Sequence, residues 1–593
     1  MYNPNLPEIK QEDSSQNNNT GNMYTYKDDN NINNPNELAT GAIRRSLGER
    51  NPNAFYPNPS YNPEFSKNNI NNNDVQIRQS ISDENISNNS LLNWIPSIIF
   101  SSVEILIIIL IGCLFKWDIR NDPDNYFVDN TNIKIGGDVN NMIIDEAIKN
   151  AINEELNIYD GLFKDINIMV FIGFGMFHTL LKRYSWTSIS INMMALAFSF
   201  QIGLFTNLLW ANAFKEKWHK GILNFESFIK SLINSCTILV SLGCVLGKLS
   251  STQYIIMIII ETIISSLNFQ LCDVKLETID VGGALYIHTF GTIFGLAIYM
   301  VLFCKKKMKS KIIDFNYFNN SNYFSNITSI IGVLFLWFYF PSFNSGLVLS
   351  DNARYRSSIN TYFSLCGSTV SSFILSALFN KGRFIFEHIL FGCFSGGVII
   401  SGCCSVCIDH WAALLIGFIC GGICVTFLSK LKPYFIKWGF FDIYNIISVH
   451  GVPGILGAFI TAMMIGDINR RMENNIIKDK EVDYHYILLN DMGRNHDVQA
   501  GVQIGAIFIT LGISFISGIA TGYLMKVSTC RKINYYFTDS EIFENEYNII
   551  DNLEQNQFYY GEINRASLFQ NKMEFPPQKS SSSDERVNRP SFN

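Results

Sequence analysis

The sequence predicts an all-α protein that crosses a membrane many times, and three observations carry the prediction. Nearly half of the 593 residues are hydrophobic (48%) and only 16% are charged, a balance too apolar for a large soluble chain. The apolar residues come in blocks and not at the spacing of an amphipathic surface helix. Most of the blocks approach the roughly 20 residues that a helix needs to cross a bilayer. Irregular backbone cannot face lipid, so each block is taken as a helix.

The net charge of -6 is spread over tails and loops and says nothing about nucleic acid, and no basic, aromatic-studded domain is present. Of 13 cysteines, all but Cys530 fall in or against apolar blocks, where they act as small packing residues and give no disulfide framework. Cys404 and Cys407 have metal-ligand spacing, but they follow Cys403 in an apolar stretch, and a structural zinc site needs four ligands. No metal and no cofactor is expected.

Residues 1–90 are rich in Asn, Ser, Asp and Pro and cannot bury enough surface to offset ordering entropy, so they read as a disordered tail. No signal peptide is read at Met1, because a long polar stretch precedes any apolar run. The first span is Leu91–Phe115, followed by an acid-rich segment, 116–164. Further spans read as 166–181, 190–210, 229–247, 254–272, 281–304, 327–340, 359–379, 386–408, 411–429, 438–466 and 498–525. That makes twelve in a membrane domain of 91–526, with 527–593 as a second tail without order.

Lys and Arg collect in alternate loops: Lys182 with Arg183, Lys248, the run Lys305 to Lys311, Lys381 with Arg383, and Lys430 to Lys437. By the positive-inside rule both tails are cytosolic, and the 116–164 and 467–497 loops lie outside. Glycines four apart, as in Gly291 with Gly295 and Gly417 with Gly421, let helix backbones approach closely and say little about chemistry.

Chemistry concentrates in two places. Asp280 opens one apolar run with His288 eight residues on, and Asp442 opens another with His450 at the same distance. An ionisable ring at membrane depth is a functional-site hypothesis, and its repetition suggests a duplicated transporter half with a site where the repeats meet. A neutral imidazole offers one donor and one acceptor, so two of them could pass a small hydrogen-bonding molecule through an apolar passage. Asp280 and Asp442 read first as helix N-terminal caps and second as cation sites at an entrance. His219, His485 and His496 fall in outer loops, His410 at a loop boundary, and His178 and His388 in spans where they could bond a neighbouring helix.

The stretch D-V-G-G-A-L-Y-I-H-T-F-G from Asp280 resembles the signature of the Rh (Rhesus) branch of the ammonium transporter superfamily. Similar to that family, too, are F-L-W-F-Y-F-P-S-F-N-S (335–345), I-N-T-Y-F-S-L (359–365), H-I-L-F-G-C-F-S-G-G-V (388–398) and F-D-I-Y-N-I-I-S-V-H-G-V-P-G (441–454). The resemblance runs from about Val170 to about Gly466. It implies an eleven-helix fold of inverted five-helix repeats plus an extra N-terminal helix, assembled as a homotrimer with a pore in each subunit. It makes His288 and His450 the twin pore histidines and Asp280 and Asp442 the structural acids. Its outer aperture would draw on Phe174 and Phe343, with Val240 nearby. Two positions depart from it: Ile233 stands where many relatives carry a gating phenylalanine, and Phe269, beside Asn268, where an acid is expected.

The expected function is an ammonia/ammonium channel that passes neutral ammonia, in the plasma membrane and among its lipids, and not an enzyme. The alternatives are a carbon dioxide or methylamine channel on the same scaffold, and a non-conducting structural membrane protein. An ion-coupled transporter would call for a buried acid or cation-coordinating carbonyls at mid-span, and no convincing example of either is read in the spans.

Overall fold

The computed structural model describes residues 90–117, 158–303, 321–348, 350–407, 409–473, 496–527, 537–539 and 542–543. All lie in one compact unit, Asn85–Asn593. The readings of residues 1–89, the Lys305–Lys311 run, His485, Cys530 and most of the two long loops and the C-terminal tail fall outside the described residues.

Among the described residues, ten helices are long and apolar enough to cross a membrane. They are α1 (Ser90–Leu114), α3 (Ser185–Lys215), α4 (Phe225–Val245), α5 (Ser251–Leu276), α6 (Ala284–Phe303), α7 (Tyr323–Ser345), α8 (Asp351–Phe379), α10 (His410–Lys437), α11 (447–473) and α12 (His496–Val527). Two more rods, α2 (158–180) and α9 (Phe386–Ile400), pack among them and bring the described rods to twelve. The chain is therefore a mostly helical, multi-pass integral membrane protein.

Packing follows the pattern of small residues. Gly417 of α10 lies against the backbone of Ser364 of α8, and Gly396 of α9 against the same carbonyl, so three helices meet where no side chain intervenes. Gly291 and Gly295 of α6 seat that helix on the backbone of α4 at Thr237 and Ser241. Polar side chains stitch the rods: Thr206 and Asn234 meet Ser266 at 2.7 and 2.8 Å, joining α3, α4 and α5. The first helix, α1, is mostly exposed and is held at one end by a short parallel strand pair, β1 (Phe115–Trp117) with β2 (Gly221–Leu223).

Several boundaries differ from the sequence reading. The span read at 438–466 becomes a helix only at Ile447, because Gly439 and Asn445 adopt positive φ (89° and 52°) and break it. The span read at 386–408 stops being helical at Ile400 and continues as turns. Within the tail read as disordered, Phe537 is fully buried (0% exposed) and its N–H donates to Gly247 O at 2.9 Å. Asp539 accepts the N–H groups of Trp186 and Thr187 at 3.3 and 2.8 Å and so caps α3. An aromatic anchor and a capping acid tie Phe537–Asp539 to the bundle.

Candidate functional site

Helices α6 and α11 run antiparallel and cross with little between them. Gly454 of α11 lies against His288, Gly451 against Thr292 and Gly457 against Ala284, a register that sets the two histidines side by side. Both helices begin in the same way. Asp280 Oδ2 accepts the N–H groups of Leu285 and Tyr286 at 2.8 and 3.2 Å. Asp442 accepts those of Ile446 and Ile447 at 2.9 and 2.8 Å. Each cap leads into a widened π-helical turn, Ala284–Thr289 and Ile447–Gly451, and each turn carries its histidine. Such turns open the backbone bonding pattern and are common at functional positions.

The imidazoles of His288 and His450 meet through their Nδ1 atoms at 3.1 Å, with ring centroids 5.0 Å apart and planes at 26°. They are 2% and 1% exposed, and the Nε2 atom of each has no partner. Aromatic rings surround them: Phe174 stacks on His450 at 6.3 Å, Phe394 lies 6.0 Å from His450, and Phe340 lies 6.3 Å from His288. The arrangement is an apolar cage with two bare ring nitrogens inside it.

The remaining predicted site residues do not gather at one level. Phe343 stands one turn from Phe340 towards the Asp280 end, and Ile233 stands one turn in that direction from Thr237, whose hydroxyl reaches Tyr286 O at 3.4 Å. Phe174 and Val240 are elsewhere. Gly346 packs on Ile166 and Gly173 on Leu336, so Phe174 lies deeper than Phe343, beside His450. Val240 packs on Gly291, the residue three past His288. Phe174 thus stands beside His450, and Val240 beside Gly291 of α6.

The two caps sit in different electrostatic settings. Burial pushes the Asp280 carboxyl up to about 7, against the opposing effect of its backbone N–H bonds, and its Oδ1 has no partner. Burial also raises Asp442, but Lys248 stands near it. The Lys248 ammonium donates to Cys244 O at 2.7 Å and Phe441 O at 3.1 Å and lies 4.7 Å over the Tyr299 ring; burial draws it down to about 8, opposed by Asp442. Phe269 stands edge-on to Tyr286 at 4.7 Å and shares a cavity of about 130 Å³ with Glu226, Lys230, Asp273 and Asp280.

One buried acid, Glu261, escaped the sequence reading, and His388, read as a residue that could bond a neighbouring helix, bonds two. Glu261 of α5 is fully buried in a span and hydrogen-bonds Ser241 of α4, so a mid-span acid exists after all. Its signal is visible, a lone acid in the apolar run 254–272, but nothing in the spacing repeats. His388 bridges Ser376 and Ser429 at 3.2 and 3.1 Å, which joins α8, α9 and α10 and uses both ring nitrogens. Cys404 points its thiol at backbone carbonyls of Asn344 and Ser401, and no three metal-ligating side chains converge among the described residues.

The profile described as the Ammonium Transporter Family matches residues 149–535. The chain is 31% identical over 432 residues to ammonium transporter Rh type B of Danio rerio, covering 72% of this chain and 87% of that one. It is 28% identical over 445 residues to ammonium transporter Rh type C of Canis lupus familiaris, covering 74% and 90%. In fold it resembles the solved structure described as Nitrosomonas europaea Rh50 and mechanism of conduction by Rhesus protein family of channels, with a TM-score of 0.55. That match is 23% identical and covers 70% of this chain and 99% of that one.

Proposed function

The chain belongs to the ammonium transporter family, on its Rh side, and from that premise we propose an ammonia channel in which uncharged NH₃ passes His288 and His450 with no net charge moved. One observation carries the reading: the Nδ1 atoms of the pair are engaged with each other, and both Nε2 atoms stand bare inside an aromatic cage. A shared Nδ1–Nδ1 bond means that one ring donates and the other accepts. Of the two Nε2 atoms, one then carries a proton and the other a lone pair. Ammonia, with three N–H donors and one lone pair, can use both.

An ion fares differently. Ammonium has an amine pKa on the order of the lysine value, ~10.4, so it predominates in neutral water. Stripping its hydration shell in an apolar passage costs several kcal/mol or more. Ile233, Val240, Phe343 and the imidazole pair supply no fixed anion to offset that cost. The proton is therefore left at the Asp280 end, where Glu226 and Asp273 line the adjacent cavity. Passage of methylamine beside ammonia is the second reading, and Ile233 favours it, because a branched aliphatic narrows an opening less than an aromatic ring.

The Asp280 end is read as the outer mouth and the Asp442 end as the cytosolic one, with both termini cytosolic in the plasma membrane, because Lys and Arg crowd the loops at the Asp442 end. Protease added to sealed cells cuts the 116–164 loop and spares the tails if this orientation holds. The family resemblance supports a homotrimer set in lipid, with a membrane domain of 91–526 and tails at 1–90 and 527–593.

The test is ammonia uptake into proteoliposomes with internal pH recorded. His288→Ala and His450→Ala each reduce conduction about tenfold or more, the worth of one good hydrogen bond, while the purified variants elute as the parent does. Conduction at the parent's rate in both variants would remove the pair from the path.

A further inference from the structure

The reading of His288 and His450 as the conducting pair leaves a third buried imidazole unused. We propose that His178 is a further station on the same path, an acceptor one turn towards the Asp442 end that takes an N–H from ammonia leaving the pair.

Its tautomer is fixed by its neighbour. Asn192 Nδ2 donates to Ser188 O at 2.7 Å, which turns Asn192 Oδ1 towards His178 Nδ1 at 3.0 Å. An amide oxygen only accepts, so Nδ1 of His178 carries the proton and Nε2 presents a bare lone pair. The ring is fully buried and Nε2 has no partner. Tyr444 holds the residue from the other side, its hydroxyl donating to His178 O at 2.7 Å and its ring meeting the imidazole edge-on at 4.9 Å.

Position places this lone pair in line with the histidine pair. Nε2 faces α4 at Gly243, where an added Cβ would stand 3.5 Å from it and would strike Ile446. Ile446 is one turn before His450 on its helix, and Gly243 is one turn beyond Val240 on the way to the Asp442 end. The rings form a series: His288 to His450 at 5.0 Å, His450 to Phe174 at 6.3 Å, Phe174 to His178 at 6.0 Å. Anchoring α2 to α3 needs only the Nδ1 bond, and a histidine kept for that alone would leave an acceptor buried without a donor. His388 shows the contrast, since both its nitrogens are satisfied. Ammonia has the donors that His178 Nε2 lacks.

The experiment compares the parent, His178→Leu, His178→Gln and, as reference, His288→Ala in proteoliposomes, with rates scaled to protein that elutes as folded. His178→Leu lowers ammonia conduction about threefold to tenfold, the range for one neutral hydrogen bond. His178→Gln restores most of it, because a side-chain amide has an N–H to donate to Asn192 Oδ1 and a carbonyl oxygen to offer as the acceptor. Should the branched side chain not fold, His178→Met poses the same question with an unbranched one. Conduction at the parent's rate in the apolar variant, with His288→Ala impaired, overturns the third station and leaves the pair standing. Equal losses in the apolar and Gln variants also overturn it, and mark His178 as a packing residue. Parent-like conduction in His288→Ala would sink the reading of the pair, and this inference with it.

Discussion

Glu261 lies in the middle of α5 with Oε1 on Ser241 Oγ and Oε2 without a partner. Ser241 also faces Gly291 O at 2.8 Å and Thr237 O at 3.2 Å. A hydroxyl has one proton to give, so a protonated Glu261 lets the carboxyl contact and a carbonyl contact form together. That proton state fixes an expectation. Glu261→Gln, a neutral side chain of the same shape, shifts thermal stability in detergent by less than about 1 kcal/mol and leaves ammonia conduction intact. Glu261→Lys puts an uncompensated charge at the same place and costs several kcal/mol or prevents folding. Loss of conduction in a stable Glu261→Gln protein would show that the acid takes part in transport, and would revive ion coupling. The histidine pair was readable because each ring repeats behind an acid at the same distance. Glu261 and the lock between His178 and Asn192 were not, because partners 20 and 14 residues away leave no periodic mark.

At the scale of elements, the two caps make a pH prediction. Burial holds the Asp280 proton up to about 7 in the folded chain, against ~3.9 for an unperturbed aspartate. The unfolded chain therefore ionises first as pH rises, and the folded state binds more protons between those two values. Stability from this group is full below about pH 4 and is lost progressively as pH rises towards 7. Asp280→Asn keeps an acceptor for the Leu285 and Tyr286 N–H groups and cannot ionise, so its thermal midpoint gains on the parent's between pH 5 and 7.5. A difference between the two that stays constant across that range would mean that Asp280 does not titrate there. The acids themselves were legible as caps by their place before apolar runs. The π-helical turns that follow were not, since no residue pattern distinguishes Ala284–Thr289 from an ordinary helical turn. Nor does residue identity give the register between α2 and α7, which sets Gly173 against Leu336.

For the whole molecule, hydrophobic blocks and the duplicated acid–histidine spacing were enough to read a multi-pass bundle with a duplicated half, while the burial of Phe537 against Gly247 leaves no mark in the sequence. The bundle's lining sets the last expectation. The residues read along the path, from Ile233 and Phe343 through the imidazole pair to Val240, include no permanent charge. Moving one elementary charge across the membrane is worth about 2.3 kcal/mol per 100 mV, so passage of an ion responds steeply to voltage and passage of a neutral molecule does not. In proteoliposomes held at a set potential, ammonia entry alkalinises the lumen as each molecule takes up a proton, and the rate is the same at either sign of voltage. His288→Asp or His450→Glu, by placing a carboxylate where the cage is now uncharged, opens a route for the ion and gives the variant a voltage dependence that the parent lacks. Currents in the parent that grow with both ammonium concentration and voltage, without matching alkalinisation, would replace neutral passage with transport of the ion.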